Sequence, residues 1–109
     1  MEKWSKIELF IESVSGKKPS DINAVLYLIG IQELGKGVKR FSKEEKQDLI
    51  HIATCKIFSI DGFYKLTHHD DEGWPHYDLV EKVPHKKLMQ QEGMIKEYII
   101  KYFESENII

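Results

Sequence analysis

Phe63-Tyr64-Lys65-Leu66-Thr67, then His68-His69-Asp70-Asp71-Glu72-Gly73-Trp74-Pro75, then His76-Tyr77-Asp78-Leu79-Val80-Glu81-Lys82-Val83 is the stretch whose reading decides the fold. Its two outer parts alternate and are rich in aromatic and β-branched types, and a period of two is the mark of a strand. Its middle is charged and turn-forming. Residues 63–83 therefore predict a β-hairpin with a wide loop. A lone hairpin is marginal in water, so this one must pack on helices.

The chain before it supplies those helices. Ser42-Lys43-Glu44-Glu45 is a capping box, in which the Ser42 hydroxyl and the Glu45 carboxylate each satisfy the other's backbone amide. Phe41 and Lys46 make only a poor hydrophobic staple. A stripe of Leu49, Ile52/Ala53, Ile57 and Ile60 carries this third helix to Asp61-Gly62. The second helix is capped by Ser20 or Asp21 and ends near Leu34, before Gly35 and Gly37. It is apolar almost all round and is expected to be the most buried. The first helix runs from about Lys3 to Val14 on Trp4, Ile7, Phe10/Ile11 and Val14, with Gly16 as its stop. Beyond the hairpin, Pro84 precedes a fourth helix from His85 to Phe103, with Leu88, Ile95, Ile99 and Tyr102 in line. Gly93 weakens its middle by about 1 kcal/mol relative to Ala. The expected fold is mainly α: a compact four-helix domain with a β-hairpin inserted between helices 3 and 4, one domain over residues 1–109.

Bulk properties exclude several functions. The 109 residues carry a net charge of −2, which draws the chain as a whole neither to nucleic acid nor to anionic lipid. Residues 1–60 hold ten Lys/Arg against eight Asp/Glu, and residues 61–109 six against ten. Cys55 is the only cysteine, so there is no intrachain disulfide and no cysteine-built zinc site. No signal-peptide pattern opens the chain, and the longest apolar run, Ala24 to Ile31, is too short to span a bilayer. A cytoplasmic protein with no membrane partner is expected, and no cofactor is implied.

Four constellations could carry chemistry. Glu33, Asp48, His51 and Glu92 are polar residues on or beside apolar helical stripes, which is how metal sites are built inside helix bundles. Di-iron bundles need two Glu-x-x-His pairs, and Asp48-x-x-His51 is one imperfect half. Structural pairing of Glu33 with Lys36, Lys46 or His51 is the favoured reading. Around the loop, His68, His69, Asp70, Asp71 and His76 are possible ligands, but adjacent strand residues point to opposite faces. Trp74 and His76 at the loop, with Tyr98 and Tyr102 on helix 4, are candidates for binding a partner, because large aromatics anchor interfaces. Trp74 could equally fold back on the core. Lys36, Lys39 and Arg40 precede the start of helix 3 and are candidates for binding an anion. Cys55 follows His51 by one helical turn but reads as a small buried hydrophobe.

The segment Ile31-Gln32-Glu33-Leu34-Gly35-Lys36-Gly37, the helix start from Phe41 to Ile52, and Asp71-Glu72-Gly73-Trp74-Pro75-His76 resemble a small family of uncharacterised bacterial helical proteins. The resemblance covers most of the chain, from helix 2 to helix 4. It implies no activity and transfers no functional residue. It implies only that the Glu33–Lys36 region and the Trp74 loop belong to one compact domain.

Three functions are weighed on these residues. The first is a small protein-interaction or assembly module without catalysis, acting on a protein partner or by self-association as a homodimer. The second is a winged-helix-like nucleic-acid-binding domain, since three helices precede a hairpin. An acidic loop, a long connection between helices 2 and 3, and negative net charge all count against it. The third is a metal-dependent enzyme using Glu33, His51 and Glu92, with Asp48 as a further candidate, which requires those side chains to converge.

Overall fold

The computed structural model describes residues 2–37, 39–83 and 88–109. Its elements are α1 (Glu2–Ser15), α2 (Ile22–Leu34), α3 (Lys43–Ser59), β1 (Tyr64–His69), β2 (Pro75–Leu79) and α4 (Leu88–Ser105). Among the described residues the fold is mainly α, with an antiparallel hairpin between the third and fourth helices. The expected start of the last helix at His85 lies outside the described residues. No helix among them is long and apolar enough to cross a membrane. Contacts group the chain into two compact units, residues 1–25 with 84–109, and Leu26–Val83. The division falls inside α2.

In the first unit, α1 packs on α4. Ile7 and Ile11 are buried on α1, as are Ile99, Ile100, Tyr102 and Phe103 on α4. Phe10 meets Phe103 edge-on at 6.1 Å. An exposed ion pair joins Lys3 to Glu104 at 2.8 Å, and Lys96 lies over the Trp4 ring. Such surface contacts are each worth well under about 1 kcal/mol, so the apolar seam holds the pair of helices. The Asp21 carboxylate accepts the Ala24 N–H at 2.9 Å and caps the start of α2.

In the second unit, α2 crosses α3 at closest approach where Gly30 meets Leu49. Only a residue without a Cβ fits there. The α2 helix ends as the Gly35 N–H bonds to the Ile31 carbonyl, with Gly35 in the left-handed region at φ 73°. The capping box opens α3 as expected: the Ser42 hydroxyl accepts the Glu45 N–H at 3.1 Å, and the Glu45 carboxylate accepts the Ser42 N–H at 2.9 Å. Phe41 has no staple partner one turn on. It instead joins Ile31, Leu34 and Leu49 in a buried cluster, against which Tyr27, Leu28 and Trp74 pack.

The hairpin packs on α3. Its strands reach further toward the tip than alternation implies, because β1 runs through His69 and β2 begins at Pro75. The loop is therefore only residues 70–74. Pairing runs Tyr64 with Leu79 and Leu66 with Tyr77, then shifts so that His68 faces His76. Thr67 is the extra residue of a β-bulge, and the shift re-aims every side chain after it.

Candidate functional site

An open cleft of about 370 Å³ lies within the second unit, between α3 and the hairpin tip. Glu45, Asp48, His51 and Ile52 line it from α3. Their spacing places them along one flank of the helix. Asp70, Glu72, Trp74, Pro75 and His76 line it from the hairpin.

Asp70 organises the tip. One carboxylate oxygen accepts the N–H groups of Glu72 at 2.9 Å and Trp74 at 3.0 Å. Its own N–H donates to the Trp74 carbonyl, and the Gly73 N–H donates to the Asp70 carbonyl, both at 2.9 Å. Gly73 takes φ 87°, a conformation that side chains with a Cβ rarely adopt. The second carboxylate oxygen meets His76 Nε2 at 2.9 Å. The bond to His76 and then the Trp74 N–H hold the Asp70 carboxyl below the ordinary carboxylate range. The sequence marked Asp70 as a possible metal ligand; its oxygens are engaged inside the loop, a role that an Asp two to four residues before a turn glycine commonly plays.

His76 stacks on His68, with ring centroids 4.8 Å apart and planes 3° from parallel. The Thr67 hydroxyl donates to the His76 carbonyl at 3.0 Å. Its single proton is thus spent, so in the 2.9 Å contact with Thr67 the His68 Nδ1 is the donor. Face-to-face rings cannot aim lone pairs at a common ion. Among the described residues, no three His, Cys, Asp or Glu side chains are placed to hold a metal.

Asp48 and His51 do share the cleft, but Glu33 does not line it. Glu33 pairs with Lys56 at 3.8 Å, a partner the sequence did not suggest. Lys56 on α3 thus reaches the end of α2, while Lys36 donates to the Glu72 carbonyl of the hairpin loop. Glu92 pairs with Lys96 at 3.9 Å on its own helix. His51 is exposed, although its apolar neighbours Ile50 and Ile52 suggested an inward position. Its Nε2 lies 3.5 Å from the Cys55 sulfur. Burial pushes the Cys55 thiol up to about 11. A thiol at that value is protonated near neutrality and is a poor nucleophile. Burial, followed by the Glu33 carboxylate and Cys55, raises Tyr77 to about 12.

The aromatic candidates separate. Trp74 is half-buried, its ring edge-on to Phe41 at 6.3 Å, while it also lines the cleft. The Trp74–Pro75 bond is trans, where the sequence allowed cis. Tyr102 is 1% exposed and belongs to the core of its unit, so its ring is not a surface for a partner. A ring on the apolar stripe of α4 is drawn inward by the area it removes from water. Tyr98 is partly exposed, with Lys101 over its ring at 4.5 Å.

The three basic candidates do not form an anion cradle. The Lys36 ammonium donates to the Glu72 carbonyl. Lys39 lies over the Phe41 ring at 5.5 Å, and Arg40 is exposed. The amides that an anion would use at the start of α3 include the Glu45 N–H, which Ser42 already holds, and Glu44 and Glu45 place negative charge there. The roles of Gly30 and Thr67 were not read from the sequence, and Glu72 was read there only as part of an acidic loop. A glycine inside an apolar helical run was the one available signal for a close helix crossing. The chain matches no protein-family model, no curated protein and no solved structure.

Proposed function

We propose that the chain is a protein-interaction module, without catalysis, that receives part of a partner in the cleft between α3 and the hairpin tip. The observation that carries this reading is the cleft itself: a concavity framed by a capped helix and a hydrogen-bonded turn, with the half-buried Trp74 in its wall. Preformed concavities with an aromatic wall and a few polar groups are the usual form of a binding site. Catalysis is disfavoured by the neutral Cys55 thiol and by the engagement of Asp70 within its own turn. Nucleic acid is disfavoured because the exposed side chains of the tip, Asp71 and Glu72, are acidic.

The test is site-directed photocrosslinking in cells of origin, with the crosslinker at exposed His51 in the cleft or at exposed Ser13 on α1. The expected result is a discrete adduct from position 51 that position 13 does not form. Adducts from position 13 alone, or none from 51, would overturn the reading. An adduct at twice the chain's mass from position 51 would identify the partner as a second copy.

A further inference from the structure

We infer that this cleft recognises a cation: a basic segment of a partner that seats an arginine side chain between Trp74 and the carboxylates of Asp48 and Glu72. The inference rests on the docking role proposed above and names the chemistry of the occupant.

Four carboxylates line the two walls, and they differ in availability. Glu45 is spent on the Ser42 amide, and Asp70 on its turn and on His76. Asp48 and Glu72 are exposed, and no ion pair or side-chain hydrogen bond among the described residues engages either carboxylate. They stand on opposite walls, one on α3 and one on the hairpin. Two lysines lie nearby. Lys36 donates to the Glu72 carbonyl, and Lys39 lies over Phe41, close enough to bias Glu45. Even counting both, acid remains in excess at the cleft.

The remaining lining is apolar at Ile52 on α3 and at Trp74 and Pro75 on the hairpin, with the imidazoles of His51, beside Cys55, and His76, held by Asp70. That combination of an indole ring, apolar side chains and separated carboxylates suits a guanidinium. Its plane stacks on an aromatic ring while its edge donates to carboxylate oxygens. A lysine ammonium would satisfy the charge but not the stacking. A volume of about 370 Å³ admits one or two side chains, with the rest of the segment running outside.

The experiment uses the full chain carrying Trp4→Phe, which leaves Trp74 as its only tryptophan. Trp74 fluorescence is titrated with the peptide Ser-Gly-Arg-Gly-Arg-Ser and with the same peptide containing citrulline in place of arginine. The arginine peptide should bind, and binding should weaken as salt is raised. The double variant Asp48→Asn/Glu72→Gln should bind it about tenfold more weakly, since two charge-assisted contacts are lost. Both positions are exposed, and an unchanged melting curve confirms that the variant is folded. Equal binding of the citrulline peptide, unchanged binding by the double variant, or no binding of the arginine peptide overturns the inference. If position 51 still crosslinks a partner in any of these cases, the docking role stands and only its cationic chemistry falls. If position 51 crosslinks nothing, the docking role itself has failed.

Discussion

Gly30 of α2 lies against the main chain of Leu49 on α3: a Cβ at Gly30 would stand 2.7 Å from the Leu49 carbonyl carbon and 2.9 Å from its Cβ. The obstruction is backbone, which cannot rotate away as a side-chain tip can. Ala favours a helix over Gly by about 1 kcal/mol. Separating the two helices costs more, at the upper end of overpacking penalties of about 1–3 kcal/mol. Gly30→Ala should therefore be destabilising by about 2 kcal/mol in denaturant unfolding. A variant as stable as the parent would mean that the helices do not touch there.

Trp74 joins the hairpin tip to the cluster around Phe41. Trp74→Ala should cost about 2 kcal/mol, less than a fully buried aromatic because one side of the ring is open. Trp74→Phe should keep most of the edge contact and lose under half as much. Thermal melting of the two variants checks the order. A Trp74→Ala form with parental stability would place the ring in solvent.

Asp70 should govern the order of the tip. In Asp70→Ala the amides of Glu72 and Trp74 lose their acceptor, and hydrogen exchange at both should accelerate while amides in the middle of α3 are unchanged. The folded carboxyl titrates below the range of an unfolded aspartate. Its contribution is therefore complete above the unfolded value and lost as pH falls through the folded one. Protection of those two amides should decline only below the ordinary carboxylate range, as measured by exchange across an acid series. Decline at neutral pH would contradict the arrangement.

Cys55 titrates from 9.0 when free to about 11 in the fold, and Tyr77 from 10.0 to about 12, each because burial disfavours its charged form. Both folded values are raised, so the neutral forms contribute stability below the unfolded values. That stability is lost as pH rises through the folded ones. Unfolding free energy should fall across this alkaline window, and Cys55→Ala should flatten the first part of the fall. A disulfide-exchange reagent should label native Cys55 slowly at neutral pH and rapidly in denaturant. Rapid native labelling would show an accessible thiolate.

Most of the secondary structure was legible locally. Ser42 and Glu45 are three residues apart and cap α3 without help from the rest of the chain. Alternation of Tyr64, Leu66, Tyr77 and Leu79 announced two strands. The candidate site was less legible. His51 has apolar sequence neighbours yet is exposed, because a helix turns each successive side chain by about 100° and Ile52 points inward in its place. Tyr102 and Tyr98 look alike on the stripe of α4, and only their packing separates a core ring from a partly exposed one.

By itself the sequence determined the order of helices and hairpin, the capped start of α3, the glycine stops and the position of an acidic turn. These follow from periodicity, capping and backbone sterics acting over a few residues. Tertiary structure decided what the residues do together. The bulge at Thr67 sets His68, rather than Thr67, opposite His76, and so creates the stacked pair. The crossing at Gly30 and the seat of Trp74 on Phe41 join residues far apart in the chain. Their pairing depends on which surfaces close pack once the helices meet, and no local pattern encodes that choice.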